Sequence, residues 1–290
     1  MTDILQILLI GAVLGGVYAL MASGLTLIFG VMKIINLAHP IFIIIGAYVS
    51  YWLFTLVGLD PILSMPIAMI VLFCLGIVVY KLIFEREAAS ARYSEMTVLL
   101  TFAVALSFDG LLGVLFGNTQ RITSPSYAVE AILLGDLFLP KGQFYAGLVS
   151  IALIVALAAF LKFTRFGYAI RATTQNRDAA QLLGVNVGLV STVTFGIGIA
   201  LAGASGALIS FIFSFFPARH WEWIALLMSL IVLGGMGRLM GAVVGAFLLA
   251  IVSAFVGSYF GSTWSMMTFY LALFLILLVR PQGLFGEKME

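Results

Sequence analysis

The chain of 290 residues is 63% hydrophobic and only 9% charged. A soluble domain carries roughly 25% charged residues, and one of this length could not bury so much apolar surface. The composition therefore excludes a soluble protein and predicts several membrane crossings. A net charge of +2 excludes the basic surface of a nucleic-acid-binding protein. The single cysteine, Cys74, excludes a disulfide framework and a cysteine metal cluster.

Continuous apolar runs follow one another along the chain. About 20 apolar residues cross a bilayer as a helix, and the runs lack the alternation of a transmembrane β-strand. We therefore predict an all-α fold, a polytopic membrane helix bundle of about 8–10 segments, with residues 1–290 as a single transmembrane domain. The runs lie at about 4–30, 41–58, 62–84, 96–117, 143–161, 189–216, 223–236, 242–260 and 264–279.

Lysine and arginine residues predict which side of the membrane each connection occupies. Segment 162–190 has four basic residues and one acidic residue, so we expect it to be cytoplasmic. Segment 81–95 lies two crossings earlier and falls on the same side, whereas segment 118–142 between them is predicted to be outside. Counting forward places the tail 280–290 in the cytoplasm. The side of the N-terminus stays open, because a break in the first helix would change the count.

Glycines recur at four-residue spacing in several of the apolar runs. Small residues at this spacing let helix backbones approach closely in lipid. Most of the 30 glycines are therefore predicted to serve helix packing. The spaced sets are Gly11 and Gly15, Gly113 and Gly117, and Gly237, Gly241 and Gly245.

Two stretches, 30–40 and 233–241, interrupt apolar sequence with glycine or proline and a polar side chain. One lies in each half of the chain, as expected for two broken helices at a transport site between pseudo-repeated halves. Alternatively, both are plain interfacial turns, and the sequence does not decide. The interpretation as broken helices places Asn36 and His39, together with Gly234, Gly235 and Gly237, along a substrate path.

Segment 162–190 contains the signals of a short amphipathic helix. Asn176 suits an N-cap and Asp178 complements the helix dipole in the first turn. Gly184 provides the stop. Because two helical turns are unstable alone in water, this helix must dock on the membrane surface or on a partner protein.

Several motifs follow one another in a set order. The first motif lies in the first apolar run, and Asn36-x-Ala38-His39 follows it. It reads Gly16-Val17-Tyr18-Ala19-Leu20-x-Ala22-x-Gly24-Leu25-Thr26-Leu27-Ile28-Phe29-Gly30-Val31. The other motifs are Thr101-Phe102-x-x-Ala105-Leu106, Arg165-x-Gly167-x-x-x-Arg171-Ala172 with Asn176-x-x-Ala179-Ala180-x-Leu182-Leu183-Gly184-Val185, Gly234-Gly235-Met236-Gly237, and Arg280-Pro281-Gln282-Gly283-Leu284-Phe285-Gly286. Together they resemble the permease subunits of branched-chain amino acid ABC importers (LivH type) over nearly the whole chain. Pro40 and Arg238 depart from the family pattern, which tends to have glycine and a small residue there.

The resemblance implies a subunit of an importer in the inner or plasma membrane of a bacterium or archaeon. It implies a second, related or identical permease, two cytoplasmic ATPase subunits that bind ATP and Mg, and a periplasmic or extracellular substrate-binding protein. This chain has no Gly-x4-Gly-Lys-Ser/Thr phosphate loop, so it would need no cofactor of its own. The ATPase-coupling residues would be Arg171, Arg177, Ala179, Ala180, Leu182, Leu183 and Gly184.

Few polar residues are available to recognise a zwitterionic amino acid. Asn36 and His39 can donate or accept hydrogen bonds, although capping a helix would use the same groups. Asp109 lies inside an apolar run, where an ionisable residue is a functional candidate, or near the outer interface, where it reaches water. Residues 217–223 are expected to form a short external loop, whose tryptophans anchor it at the interface or which contacts the binding protein. Arg238 is either an interfacial anchor or a deeper site for the substrate carboxylate.

Two other functions stay open. One is a related ABC permease for urea, short amides or aromatic compounds. The other is a secondary carrier driven by an ion gradient, which would need buried ionisable groups besides Asp109. Enzymatic activity is not expected, because no Gly-x-Ser-x-Gly elbow or metal-binding spacing is present.

Overall fold

The chain is built from apolar helices joined by short connections. The computed structural model describes residues 2–87, 93–280 and 282–285. Residues 88–92 of the predicted cytoplasmic segment 81–95, and residues 281 and 286–290 of the tail, lie outside this part. The helices are α1 (Thr2–Met32), α2 (His39–Val57), α3 (Pro61–Val79), α4 (Glu85–Glu87), α5 (Tyr93–Phe116), α6 (Lys141–Phe163), α7 (Arg165–Gln175), α8 (Arg177–Leu182), α9 (Val187–Ile209), α10 (His220–Gly234), α11 (Leu239–Phe260) and α12 (Ser262–Val279).

Shorter elements complete the connections. A π-helical turn, Tyr80–Phe84, continues α3 into α4. Strands β1 (Ala131–Leu134) and β2 (Leu137–Pro140) form an antiparallel hairpin between α5 and α6. A 3-10 turn, Pro217–Arg219, leads into α10. Eight of the helical stretches in the described ranges are long and apolar enough to cross a membrane. The predicted all-α membrane bundle is confirmed.

The position of α1 decides which end of the bundle the N-terminus occupies. The side-chain amide of Gln6 donates a hydrogen bond to the Phe138 carbonyl and accepts one from the Phe138 amide. The start of α1 therefore lies at the same end as segment 118–142. We call this the outer end, after the predicted orientation, and the end that carries α7 and α8 the inner end.

Helix α2 begins at mid-depth and runs to the outer end. His39, its first residue, bonds through Nε2 to the Met21 carbonyl (3.2 Å), and Met21 lies in the middle of α1. The Asn36 side chain accepts a hydrogen bond from the Ala38 amide (3.1 Å), and Pro40 occupies the first turn, where a missing N–H costs nothing. These two residues explain why the helix starts here.

At the outer end, the connection from α2 to α3 is held by a side-chain hydrogen bond. The Tyr127 hydroxyl donates to the Asp60 carboxylate (3.1 Å). Burial, followed by the nearby Asp60 charge, raises the pKa of Tyr127. The phenol therefore stays protonated and keeps this bond at physiological pH.

Helix α10 also begins at mid-depth, but it runs to the inner end. The indole of Trp221, in its first turn, packs against Phe102 in the middle of α5 (5.7 Å between ring centroids). Beyond the inner end of α10, Gly237 packs against Gly30. At about 1.5 Å per residue, the 15 residues of α10 span roughly 22 Å, less than the roughly 30 Å of a bilayer core. Helices α2 and α10 thus both start at mid-depth and run in opposite directions, an arrangement that is typical of inverted transporter repeats.

The break in the second half of the chain therefore lies before α10, at residues 210–219. The predicted stretch 233–241 is instead the turn that joins α10 to α11 at the inner end. Gly235 and Gly237 adopt positive φ angles of 87° and 84° there, which favours glycine. Arg238 follows as the residue before α11 and is exposed at this end, so it is not at the depth of a bound substrate.

Close glycine contacts hold the centre of the bundle together. Helix α9 is buried along most of its length between α1, α2 and α3. A methyl group placed on Gly46 of α2 would lie 2.7 Å from the Cα atom of Gly203 in α9. Gly11 and Gly15 of α1 meet α11 in the same way, so the predicted packing role is right for these residues. Gly113 of α5, and Gly117 directly after this helix, in contrast face open space.

Lys33 ends α1 in a left-handed conformation with φ of 56°, although it has a side chain. This conformation costs an L-residue about 1 kcal/mol, so Lys33→Gly should raise the apparent Tm of the detergent-solubilised protein by a few degrees. Lys33→Ala is the matched control, because it removes the contact of the ammonium group with Phe29 (5.7 Å) but keeps the strain. Equal Tm values for the two variants would contradict this explanation.

Candidate functional site

Five neighbouring residues form a polar group at mid-depth, which we call the mid-depth polar group: Asp109 of α5 and Arg219, His220, Trp221 and Glu222 at the start of α10. The Trp221 indole N–H donates to Asp109 Oδ2 (3.3 Å), and His220 Nδ1 lies 3.9 Å from Asp109 Oδ1. Arg219 Nε lies 3.1 Å from Glu222 Oε2. The group thus combines two carboxylates with one permanent positive charge.

The depth of this group follows from its contacts with α1. Arg219 lines a small cavity together with Tyr18 and Met21, which lie near the middle of α1. His220 is fully buried, and its Nδ1 bonds to the Pro217 carbonyl (2.8 Å). The expectation that residues 217–223 form an external loop is therefore wrong.

Residues 217–223 are not an external loop because the preceding residues 210–219 fold back into the bundle. The Thr123 amide donates to the Ser210 carbonyl (2.7 Å), and Arg121 and Phe215 exchange backbone hydrogen bonds of 2.9 Å. Phe215 is buried against Tyr48 and Tyr51 of α2. Pairing with segment 121–123 satisfies backbone groups of Ser210 and Phe215, which helps the chain to enter the bundle without a regular helix.

The charged members of the group are only partly covered. Their side chains are 23% exposed for Asp109, 25% for Arg219 and 43% for Glu222. Charged side chains at the centre of a bilayer face protein or water, because contact with lipid costs several kcal/mol. The face of α10 that carries Glu222 therefore borders a water-filled path or another polypeptide.

We define this face as the α10 edge: Trp221, Glu222, Ala225 and Met228, all half-buried. Helix α12 packs along α10 on one side, and α5 approaches through Phe102 and Trp221 on the other. Two glycines of α5, Gly110 and Gly113, have no neighbour within 4 Å of an added methyl group. Polar and small residues thus occupy an uncovered region of the protein.

Asn36 and His39 lie behind this group and not within it. Both are fully buried, and the Asn36 Nδ2 and His39 Nδ1 atoms have no hydrogen-bond partner. His39 bonds to the backbone of Met21, whose side chain lines the same cavity as Arg219. Thr101 of α5 donates to the Ile35 carbonyl (3.3 Å), so α5 touches both the break before α2 and the start of α10.

The glycines that were predicted to line the substrate path lie at a different depth from the mid-depth polar group. Gly234 packs against Gly241, and Gly237 packs against Gly30 at the inner end. Gly235 lies in the same turn, with its amide bonded to the Val232 carbonyl (3.2 Å). The structure therefore separates Gly234, Gly235 and Gly237 from Asp109, Asn36 and His39.

At the inner end, α7 and α8 form the predicted amphipathic element. Thr164 caps α7 by accepting from the Gly167 amide (2.9 Å), and Asn176 caps α8 by accepting from the Ala179 amide (2.9 Å). Gly184 follows with φ of 84°. The predicted N-cap and stop are confirmed.

The apolar residues of α8 do not form one face. Ala180 is buried beside α9, whereas the next two leucines are 89% (Leu182) and 85% (Leu183) exposed. Arg171 and Ala179 are exposed as well, and the Arg171 guanidinium stacks on Tyr168, 4.7 Å from the ring centroid. Two large apolar side chains thus project from the inner end.

Comparison with known proteins identifies the family. The family described as "Branched-chain amino acid transport system / permease component" matches residues 7–278. The chain belongs to this family. The permease is 30% identical to the probable branched-chain amino acid transport permease LivH of Methanocaldococcus jannaschii, over 80% of this chain and 74% of that protein. It is 29% identical to LivH of Escherichia coli K12, over 98% of this chain and 96% of that protein.

The permease also resembles a solved structure in fold. PsaBC from Streptococcus pneumoniae in complex with Fab superposes with a TM-score of 0.53, covering 97% of this chain and 94% of that one at 14% identity. Its family, together with the eight candidate spans among its described residues, makes the permease a multi-pass plasma-membrane transport subunit and not an enzyme.

The sequence signals of the permease site were incomplete. Asp109 was recognised because an acid interrupts an apolar run. The two other charged members of the mid-depth polar group, Arg219 and Glu222, lie close to tryptophans in the sequence, a pattern that favours an interfacial loop. The one signal of their depth is that fewer than 18 apolar residues follow before the turn at Gly235, too few for a full span.

Proposed function

We propose that the permease, paired with a second related or identical permease, forms the membrane path of an ATP-driven importer of branched-chain amino acids. The relatives are named for this transport, and they match nearly the full length of the chain. In this proposal ATP and Mg are bound by two separate cytoplasmic ATPase subunits, and a binding protein delivers the amino acid from outside.

The mid-depth polar group is the observation that carries the proposal. A zwitterionic amino acid needs an acceptor for its ammonium group and a donor for its carboxylate, and Glu222 and Arg219 offer both within one helical turn. The group adjoins an uncovered region beside α5. Its charged side chains must face protein or water in this region, because contact with lipid is unfavourable. We assign the second permease to this region, so that the path runs between the two chains along the α10 edge.

The α7–α8 element is the proposed contact with an ATPase subunit. Leu182 and Leu183 are exposed apolar side chains on a capped, well-defined helix, the kind of anchor that fills a groove in a partner. Closure of the ATPase dimer on ATP would press on residues 171–184. The contacts of α7 with α1, and of α1 with α10, would carry this movement to the helix that borders the path.

Co-purification and uptake test the assignment together. The permease, expressed with its genomic neighbours, should bring down a second permease and an ATPase, and the complex in proteoliposomes should import labelled leucine only with ATP. Leucine uptake that persists without ATPase subunits and collapses with an ion gradient would instead establish a secondary carrier.

Glu222→Gln should lower the rate of leucine uptake by about tenfold or more, since the neutral amide leaves Arg219 without its counter-charge. Glu130→Gln is the matched control, because it removes the partner of Lys141 in an ion pair at the outer end. Uptake by Glu222→Gln within about twofold of the control would exclude Glu222 from the path.

A further inference from the structure

We infer that a cavity at the inner end of the bundle binds an anionic phospholipid of the cytoplasmic leaflet. The cavity lies between α7 and the inner parts of α1, α6 and α11, and it does not include the mid-depth polar group. The inference concerns binding alone and does not rest on the proposed function. The walls include Thr26 and Leu27 of α1, Leu161 of α6, Arg171 and Gln175 of α7, and Leu239 of α11.

The cavity lies at the level where two spanning helices end. Leu161 is two residues from the end of α6, and Leu239 is the first residue of α11. Both helices are candidate spans, and at about 1.5 Å per residue these walls lie within roughly 3 Å of the ends of the spans. Arg171 and Gln175 are exposed, so the cavity is open on the side of α7. A lipid headgroup of the cytoplasmic leaflet occupies this level.

Arg171 places a positive charge at the mouth of the cavity. Its guanidinium stacks on Tyr168 and donates to the Lys162 carbonyl (3.5 Å), which uses one of the five N–H groups of an arginine. Among the described residues, no carboxylate lies within ion-pair distance of Arg171, Lys162 or Arg165. A planar fork of N–H donors fits the oxygens of a phosphate group. The charge at the mouth therefore calls for an anion from outside this part of the chain.

A hydroxyl group lies deeper in the same cavity. Thr26 is 1% exposed, and its Oγ1 atom has no hydrogen-bond partner in the part of the chain that the structure describes. Gly30, one turn further along α1, lies beside Thr174 of α7. Thr26 is thus about 6 Å further from α7, towards the centre of the membrane. The ester carbonyl of a glycerophospholipid lies below its phosphate and would accept a hydrogen bond from this hydroxyl.

The apolar walls favour a phospholipid over a free phosphate ion. Leu27, Leu161 and Leu239 offer contacts to hydrocarbon, which a soluble anion cannot use. The described residues that line the cavity include no aspartate or glutamate. Guanidinium, hydroxyl and leucine side chains thus match the phosphate, the ester and the acyl chains of one molecule.

The thermal stability of the purified permease in neutral detergent tests this inference. Its apparent Tm would be titrated with phosphatidylglycerol, with phosphatidylcholine of the same acyl chains, and with inorganic phosphate. A ligand that binds the folded state raises the Tm. We expect a saturable rise with phosphatidylglycerol and no comparable rise with the other two, because choline cancels the lipid charge and phosphate lacks the acyl chains.

Arg171→Gln should raise the phosphatidylglycerol concentration for half-maximal stabilisation by about tenfold, since it removes a charge-assisted hydrogen bond. Arg165→Gln is the matched control, because it removes the same charge from an exposed position of α7 outside the cavity. Its half-maximal concentration should stay within about twofold of the wild type. Thr26→Val keeps the shape of the side chain but removes the hydroxyl, and should raise the half-maximal concentration by about fivefold.

Equal titrations for Arg171→Gln and Arg165→Gln would overturn the inference, because the lipid would then respond only to the general positive charge of the inner end. Stabilisation of the wild type by inorganic phosphate as strong as that by phosphatidylglycerol would also overturn it, in favour of a site for a soluble anion. The titration needs neither transport nor a partner subunit, so a failure of the proposed function would leave its result unchanged.

Discussion

Leu183→Asp is expected to abolish ATP-driven uptake while the helix bundle stays folded. Leu183 is 85% exposed and contributes little to the packing of this chain. In the contact with an ATPase subunit that we propose for α8, an aspartate at this position would bury an unpaired charge among apolar groups, which costs several kcal/mol. Uptake of labelled leucine in proteoliposomes and co-purification of the ATPase subunit are the two measurements, and both should fall to background.

Two control variants distinguish docking from a general effect of charge. Leu189→Asp places the same charge on an exposed leucine in the first turn of α9, outside residues 171–184. Leu183→Met keeps a large apolar side chain at the C-terminal end of α8. Both should support uptake close to the wild-type rate, and all variants should elute as single, monodisperse species. Normal uptake by Leu183→Asp would reject the coupling role of α8.

Gly206→Ala should prevent the bundle from assembling. A methyl group at this position in α9 would overlap the Ile43 carbonyl oxygen and lie 2.6 Å from the Ala47 nitrogen, both in the backbone of α2. Backbone atoms of a packed helix cannot move aside as a flexible side chain can, so we expect a loss of at least about 3 kcal/mol of folding free energy. The amount of monodisperse protein and the apparent Tm in detergent measure this loss.

Gly188→Ala is the matched control, since it makes the same change in the same helix. A methyl group at Gly188 would meet only the Asn186 carboxamide oxygen, at 3.5 Å. Both substitutions improve helix propensity by about 1 kcal/mol, so any difference between them reports on the contact between α2 and α9. Equal Tm values would show that the bundle tolerates separation of these helices.

The membrane spans could be predicted almost completely. Seven of the predicted runs correspond to spanning helices as they stand, among them those that became α2 and α5. The run at 189–216 ends too late, because residues 210–216 leave the helix. The run at 223–236 became the half-length α10. Each predicted run depends on local composition alone, so errors arise only where an apolar segment continues outside a helix.

The candidate site could be predicted only in part. Asp109 and the capped α8 helix follow from local signals, an acid in an apolar run and an Asn–Gly pair around a short helix. The depth of Arg219 and Glu222 does not follow from local signals, because tryptophan and charged residues are as common at a membrane interface as in a polar path. The contact between Trp221 and Asp109 joins positions 112 residues apart.

By itself the sequence determined the all-α membrane fold, the family and the capped short helix α8 at the inner end. Burial of apolar residues in lipid and local helix capping act within a segment, so they can be recognised without knowledge of neighbouring helices. Only the tertiary structure decided that α2 and α10 start at mid-depth and run in opposite directions, and that α1 begins at the outer end. These features depend on how distant helices pack, as in the Gln6–Phe138 and His39–Met21 hydrogen bonds, and no local pattern in the chain encodes which partners will meet.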